Sequence, residues 1–127
     1  MKSIKLYRPV GCKELKLIEE SGMKGFPPRL EWQPIFYPVL NFEYAAQIAK
    51  DWNTKDEFSG YAGFVLSFDI DEEYFKTFEI QNVGSHNHNE LWVPSEKLGE
   101  FNQHIVNQIS VEKAFYGPLF KGDKNIN

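Results

Sequence analysis

The sequence predicts a single α+β domain, with a mainly antiparallel split sheet and two principal helices. The chain has 127 residues, which is enough for one domain of ordinary size. Both amphipathic helical patterns lie in the first half, whereas most strand patterns lie in the second half. A hydrophobic content of 42% and an aromatic content of 16% are typical of a chain that packs a core. We expect residues 1–116 to form this domain and residues 117–127 to form a polar C-terminal tail.

The first elements are a strand and a helix. Residues 4–8 alternate in polarity, which predicts a short strand with Leu6 and Arg8 on one face, ended by Pro9. Residues 13–21 have apolar side chains at helical spacing, and Gly22 is typical of the residue that follows a helix.

A proline-rich loop, a second strand and the clearest helix follow. In the loop, residues 23–34, we expect Phe26, Leu30 and Trp32 to be buried. Residues 35–40 predict the strand, and Asn41 has the side chain of a helix N-cap. The helix pattern then continues to Trp52, with its apolar residues on one face.

The second half of the chain reads mostly as strands. Residues 61–70 are strongly apolar and predict a central strand that is buried on both faces. Residues 71–75 can form one helical turn, and residues 78–83 and 90–93 predict further strands. Residues 105–115 predict a last edge strand, or two pieces of one.

Composition excludes several classes of protein. The net charge of −4 argues against a sequence-independent grip on nucleic acid, which needs a basic surface. No apolar run is long enough for a leader peptide or a membrane span, and the single cysteine cannot form an internal disulfide. We therefore expect a cytoplasmic protein with neither a membrane nor a nucleic acid as partner.

The chain carries no phosphate-binding loop, no dinucleotide-binding glycine motif and no CxxC or HExxH sequence. Its densest cluster of reactive groups lies at residues 86–90. If this stretch is extended, His86, His88 and Glu90 share one face and are able to bind a divalent metal. The neighbouring glycine, serine and asparagines favour a solvated hairpin tip instead, and a site without metal is the third interpretation.

Glu90 directly precedes the apolar run 91–93. A carboxylate at the start of a buried strand is costly unless it is paired or hydrogen-bonded. It is therefore either an exposed edge residue, a salt-bridge partner, or a site carboxylate that holds a ligand hydroxyl or stabilises positive charge.

The chain has only two arginines, Arg8 at the end of the first strand and Arg29 in the proline-rich loop. A guanidinium offers a planar fork that binds phosphate or carboxylate at two points. The alternative for each is a structural pair with a nearby acid.

Four aromatic residues near these groups are expected to lie in the core or in the wall of a cleft: Tyr7, Phe36, Tyr37 and Trp92. One or two of them are placed to stack on a nucleotide base or a nicotinamide ring.

Several motifs resemble those of a small bacterial family labelled ADP-ribosylation/J-crystallin proteins. The resemblance covers about residues 4–115 and is carried by LYRPVG at 6–11, FPPRL at 26–30, QPIFYPVLN at 33–41 and ELWVP at 90–94. The order of elements also resembles the ADP-ribosyltransferase fold, in which a first strand carries His or Arg, a second carries Tyr or Ser, and a late strand carries the catalytic Glu.

The resemblance implies an NAD-binding protein that transfers ADP-ribose to an unidentified acceptor, either a protein or a small molecule. Arg8 would hold the pyrophosphate or ribose of NAD, Tyr37 (or Phe36) would stack on nicotinamide, and Glu90 would be the catalytic residue. Tyr7, Arg29 and His88 complete the predicted cofactor-binding set.

Two alternatives stand beside this expectation. A non-catalytic binding or regulatory protein, such as an immunity factor, predicts that Arg8, Tyr37 and Glu90 do not converge on a pocket. A small metal-dependent enzyme that uses His86, His88 and Glu90 predicts that metal is present in equal amount with the purified protein.

Overall fold

The computed structural model describes residues 2–122, which form an α+β domain with antiparallel strand pairing. Seven strands and four α-helices lie within these residues. The strands are β1 Ser3–Val10, β2 Ile35–Phe36, β3 Ala62–Asp71, β4 Ile80–Asn82, β5 Asn89–Leu91, β6 Val93–Pro94 and β7 Ser110–Tyr116. The helices are α1 Cys12–Glu20, α2 Phe42–Asp51, α3 Glu72–Phe75 and α4 Leu98–Gln103.

β3 is the centre of the main sheet, between β1 and β7, and pairs antiparallel with both. Its first seven residues are all buried, because the sheet is covered on both faces. The prediction of a central strand buried on both sides is therefore confirmed. Alternation along β1 sends Leu6 and Val10 to one hydrophobic cluster and Tyr7 to the other, which packs against α2.

Pro9 does not end the first strand, as the sequence predicted; it lies within β1, opposite Val65 of β3. Tyr7 exchanges both of its main-chain hydrogen bonds with Val39, at 2.9 and 2.8 Å, so the odd residues of β1 turn their amide groups away from β3. The amide hydrogen that Pro9 lacks would therefore face the outer edge, where a proline is tolerated.

The same proline accounts for the split in the sheet. Val39 forms isolated bridges with Tyr7 on one side and with Glu90 of β5 on the other, and so connects the main sheet to the β4–β5 hairpin. The next hydrogen-bonded pair in this register would join Pro9 to Tyr37, and Pro9 has no amide hydrogen to donate. The two chains consequently separate beyond Val39.

The predicted second strand, residues 35–40, is thus shorter than expected. Only Ile35 and Phe36 form a strand, which pairs with β6, and Pro38 separates them from the bridge at Val39. The predicted last strand, residues 105–115, is present as two pieces: Ile105 forms an isolated bridge with Ile70, and β7 spans Ser110–Tyr116.

The main helix begins as predicted. The Asn41 side chain accepts a hydrogen bond from the amide of Tyr44 at 2.8 Å, as an N-cap does. Ala45 and Ala49 are fully buried where the helix lies against the sheet. An ideal Cβ on Gly63 of β3 would lie only 2.4 Å from the carbonyl oxygen of Ala49. The absence of a side chain at position 63 therefore permits this close packing.

The first helix ends at the expected place, since Gly22 follows it with a φ of 77°. In the loop beyond it, Phe26 is buried as predicted, but Leu30 and Trp32 are exposed. Both side chains line a cleft instead of joining the core.

The predicted tail, residues 117–127, is only partly described. Gly117 donates a main-chain hydrogen bond to Tyr61, and the Phe120 ring lies 4.7 Å from that of Tyr116. Residues 123–127 lie outside the described residues. No helix within residues 2–122 is long and apolar enough to cross a membrane.

Candidate functional site

A cleft of about 1110 Å³ opens where β1 and the segment after β2 separate. Its lining comes from several distant parts of the chain: the end of β1, the start of α1, the proline-rich loop, the end of α2 and the strand that carries Glu90. Four of the predicted site residues line it, namely Arg8, Arg29, Tyr37 and Glu90. The split in the sheet is what brings these residues to one place.

Arg8 is held by a two-point ion pair. Its Nε lies 2.6 Å from Oε2 of Glu14, and its second contact, from a terminal guanidinium nitrogen to Oε1, is 2.9 Å long. The guanidinium carbon also lies 4.7 Å from the centre of the Phe36 ring, and the residue is only 8% exposed. Arg8 therefore has its charge balanced within the protein.

Arg29 approaches the same ring from the loop, with its guanidinium carbon 6.0 Å from the centre of Phe36. Its Nε is buried and has no hydrogen-bond partner. Burial lowers the pKa of Arg29, and the neighbouring charge of Arg8 lowers it further. This guanidinium lacks the carboxylate partner that Arg8 has.

Aromatic side chains form much of the cleft wall. The rings of Tyr37 and Trp92 meet edge to face, with 6.3 Å between their centres, and both remain more than one-third exposed. All three tryptophans of the chain, at positions 32, 52 and 92, line the cleft. Partly exposed rings of this kind are typical of surfaces that bind a ligand or a partner.

Glu90 is buried, so it is not the exposed edge residue that was one of its three interpretations, and its carboxylate has two partners. Oε2 accepts a hydrogen bond from the Tyr44 hydroxyl at 3.0 Å, and Oε1 accepts one from the indole nitrogen of Trp92 at 2.7 Å. A carboxylate has about four acceptor positions, so these two bonds orient Glu90 and leave capacity for a ligand hydroxyl.

With this geometry in hand, comparison of the chain with protein-family models, curated proteins and solved structures finds no match.

Two predicted cofactor residues do not line the cleft. Tyr7 points to the opposite face of β1 from Arg8, where its ring lies 6.1 Å from that of Phe42. His88 stacks on Tyr44, with 4.4 Å between ring centres, and its Nε2 lies 3.3 Å from the side-chain oxygen of Gln47. His88 is therefore connected to the cleft only through Tyr44, which bonds Glu90.

The metal interpretation of residues 86–90 has no geometric support. Across residues 2–122, no three His, Cys, Asp or Glu side chains gather as a metal site. Residues 83–88 form the turn between β4 and β5, which breaks the alternation that would put His86, His88 and Glu90 on one face. His86 is exposed at this polar hairpin tip.

A polar stretch that the sequence does not mark as part of a site, residues 53–59, forms part of the cleft wall. Asn53 donates to the Ser59 hydroxyl at 2.9 Å, and Ser59 donates to Asp56 at 2.7 Å. Gly11 packs so closely on Ser59 that an ideal Cβ would lie 2.4 Å from its Cα. The one available signal was the density of short polar residues, which does not show what they pack against.

Cys12 carries no sign of an activated nucleophile. Burial raises the pKa of its thiol, whereas nucleophilic cysteines have a lowered pKa.

Proposed function

We propose that the cleft binds NAD and that the protein is an ADP-ribosyltransferase-like enzyme, which transfers ADP-ribose to an acceptor. The observation that carries the proposal is the presence of Arg8, Arg29, Tyr37 and Glu90 in the lining of one cleft. These residues come from four separate segments, and three of them are the positions at which the sequence resembles that enzyme family. The cleft, at about 1110 Å³, is slightly larger than the usual ligand pocket of about 300–1000 Å³ and so has room for a ligand of nucleotide size.

The aromatic wall suits the flat rings of NAD. Tyr37 and Trp92 have partly exposed rings at right angles to each other. A nicotinamide ring that stacks on either of them would cover apolar surface now in contact with water. The wall therefore supports binding of the nicotinamide end of NAD close to Glu90, which bonds Trp92 directly.

Glu90 supplies the charge that the transfer step needs. In this step the bond between the nicotinamide nitrogen and the ribose carbon breaks, and nicotinamide leaves with the bonding electrons. The ribose carbon develops positive charge, and the acceptor attacks it and loses its own proton to solvent. A carboxylate fixed beside the ribose stabilises that charge and accepts a bond from a ribose hydroxyl.

A second candidate is a protein that binds a nucleotide without catalysis. The observation in its favour is that the charged groups at two positions of the resemblance already have protein partners, Arg8 with Glu14 and Glu90 with Tyr44 and Trp92. Such pairing fits a rigid binding site as well as a reactive one.

The test combines calorimetric titration with NAD and chromatographic detection of released nicotinamide. We expect saturable binding and slow nicotinamide release from the wild type. Glu90→Gln should lower the release rate about 100-fold, in line with the loss of one charge-stabilising group, while Glu79→Gln, at an exposed site outside the cleft lining, should change nothing. Binding without release would favour the non-catalytic candidate, and no binding at millimolar NAD would overturn both.

A further inference from the structure

The cleft holds two guanidinium groups but gives a carboxylate partner to only one of them. Both guanidinium carbons lie within 6.0 Å of the centre of the Phe36 ring. Glu14 binds Arg8 at two points. No carboxylate among the described residues lies within ion-pairing distance of Arg29.

The free Arg29 group is in an unfavourable state as it stands. Its Nε is buried without a partner, and an unsatisfied buried donor costs free energy. The charge of Arg8 also disfavours the charged form of Arg29, and the opposite effect of Glu14, which pairs with Arg8, is the smaller of the two. An arginine does not deprotonate in a protein to relieve such repulsion. Because Arg29 is only partly buried and lines the cleft, an anionic ligand there would offset the repulsion between the two guanidinium groups.

The loop holds Arg29 in place before any ligand arrives. On one side, the main chain of Phe26 is fixed by two hydrogen bonds with the Asn102 side chain, at 2.9 and 3.0 Å. On the other side, the Leu30 amide donates to the Gln33 side chain at 3.0 Å. Two prolines, at 27 and 28, restrict the chain between these anchors. A preorganised side chain loses little entropy on binding.

We infer that Arg29 is the anion-binding residue of the cleft and takes the diphosphate of a nucleotide, while Arg8, which Glu14 neutralises, is a structural residue of the cleft wall. The planar fork of Arg29 matches two phosphate oxygens, and the adjacent aromatic wall takes the rings attached to them. The nucleotide part of this inference rests on the proposed function, but the anion part does not.

The experiment titrates three probes into the protein: NAD, inorganic pyrophosphate, and nicotinamide as a probe without phosphate. Arg29→Ala should lower the affinity for NAD and for pyrophosphate at least tenfold. The change should be smaller at high salt, where charge contacts are screened. Nicotinamide binding should not change. The affinity of Arg29→Lys for NAD and pyrophosphate should fall between those of the wild type and Arg29→Ala, since lysine keeps the charge but loses the planar fork.

Lys16→Ala is the matched control. It removes the same charge from an exposed position outside the cleft lining, and it should leave all three titrations unchanged. Thermal unfolding gives a second readout. Arg29→Ala should unfold at the same temperature as the wild type or higher, because it removes an unsatisfied buried donor, whereas a structural arginine would lower that temperature.

The outcomes separate this inference from the proposed function. If NAD binds the wild type and Arg29→Ala equally well, the inference is overturned and the proposed function stands. If pyrophosphate binds through Arg29 while NAD does not bind, the anion site stands and the NAD function falls. If pyrophosphate fails to bind the wild type, the anion site is wrong.

Discussion

The hydroxyl of Tyr44 donates a hydrogen bond to Glu90, with 3.0 Å between Oη and Oε2, and so ties the main helix to the carboxylate of the cleft. Burial and this bond together raise the pKa of Tyr44 to about 12. The His88 ring stacks on the Tyr44 ring, with 4.4 Å between the ring centres. Tyr44 does not line the cleft, but it holds a residue that does.

The first prediction concerns alkaline pH. An unfolded tyrosine ionises near pH 10, whereas Tyr44 in the folded protein keeps its proton to about pH 12. Because the unfolded chain loses the proton first, Tyr44 stabilises the protein fully below about pH 10, and this contribution is lost as pH rises to about 12. Tyr44→Phe should therefore show a shallower decline in the free energy of unfolding over this window, measured by urea titration.

Tyr44→Phe should also lower stability at neutral pH. Loss of the hydrogen bond to Glu90 should lower the free energy of unfolding by about 1 kcal/mol. Burial also raises the pKa of Tyr74, which donates to Glu100 at 2.8 Å. The double variant with Tyr74→Phe should thus flatten the alkaline decline further. An unchanged slope in Tyr44→Phe would show that the bond to Glu90 does not form.

The second prediction tests the Arg8–Glu14 pair. Arg8→Met leaves Glu14 without its two-point partner and should destabilise the protein by about 2 kcal/mol, since removal of one member of a buried pair strands the other. Adding Glu14→Gln should recover part of that loss, which a double-mutant cycle measures as a coupling free energy of about 1 kcal/mol. Additive losses would mean that the two residues do not interact.

Lys5 and Asp69 provide the control for this cycle. They form an ion pair of 3.6 Å in which the lysine side chain is half exposed. Exposed pairs contribute little, so Lys5→Met should change the free energy of unfolding by about 0.5 kcal/mol or less.

The third prediction uses the position of the tryptophans. Because all three line the cleft and are exposed between 44% and 75%, their fluorescence reports on its occupancy. Saturation with NAD should shift the emission to shorter wavelength and reduce quenching by acrylamide. Trp92→Ala should lower the affinity for NAD about fivefold, which is the effect of one lost aromatic contact. A free tryptophan derivative at the same NAD concentration corrects for absorption by the ligand, and an unchanged corrected spectrum would place NAD elsewhere.

The sequence predicted correctly those structural elements that depend only on a few neighbouring residues. The Asn41 cap, the glycine after the first helix and the apolar central strand all follow from a few neighbouring residues, and all are present. Pro9 was misread because its effect depends on which edge of the strand lacks a partner. That depends on pairing with Val39, thirty residues away, which no local pattern contains.

The site residues were likewise predictable only where a neighbouring pattern marks them. Glu90 stood out because a carboxylate at the start of a buried strand requires a partner, and Arg8 because a guanidinium offers a two-point fork. Their partners in the helices, Tyr44 and Glu14, could not be identified from the strand patterns. Tyr44 read only as part of an apolar helix face, although its hydroxyl is the one group that reaches Glu90 from that helix. Trp32 was expected in the core on composition alone, and a hydrophobic side chain at a cleft rim has no local signature.

The fourth prediction tests the close packing of the main helix that positions Tyr44. In Gly63→Ala the new Cβ would lie 2.4 Å from the Ala49 carbonyl oxygen and 2.8 Å from its carbon, and both are main-chain atoms that yield little. The substitution should cost about 2 kcal/mol, the typical effect of overpacking. Gly99→Ala is the control, because nothing lies within 4 Å of its Cβ and an alanine in a helix should stabilise by about 0.5 kcal/mol. If the helix shifts to admit the methyl group, the Tyr44–Glu90 bond should weaken as well, so Gly63→Ala should flatten the alkaline decline as Tyr44→Phe does. Equal stability of the two alanine variants would show that the helix and strand do not pack this closely.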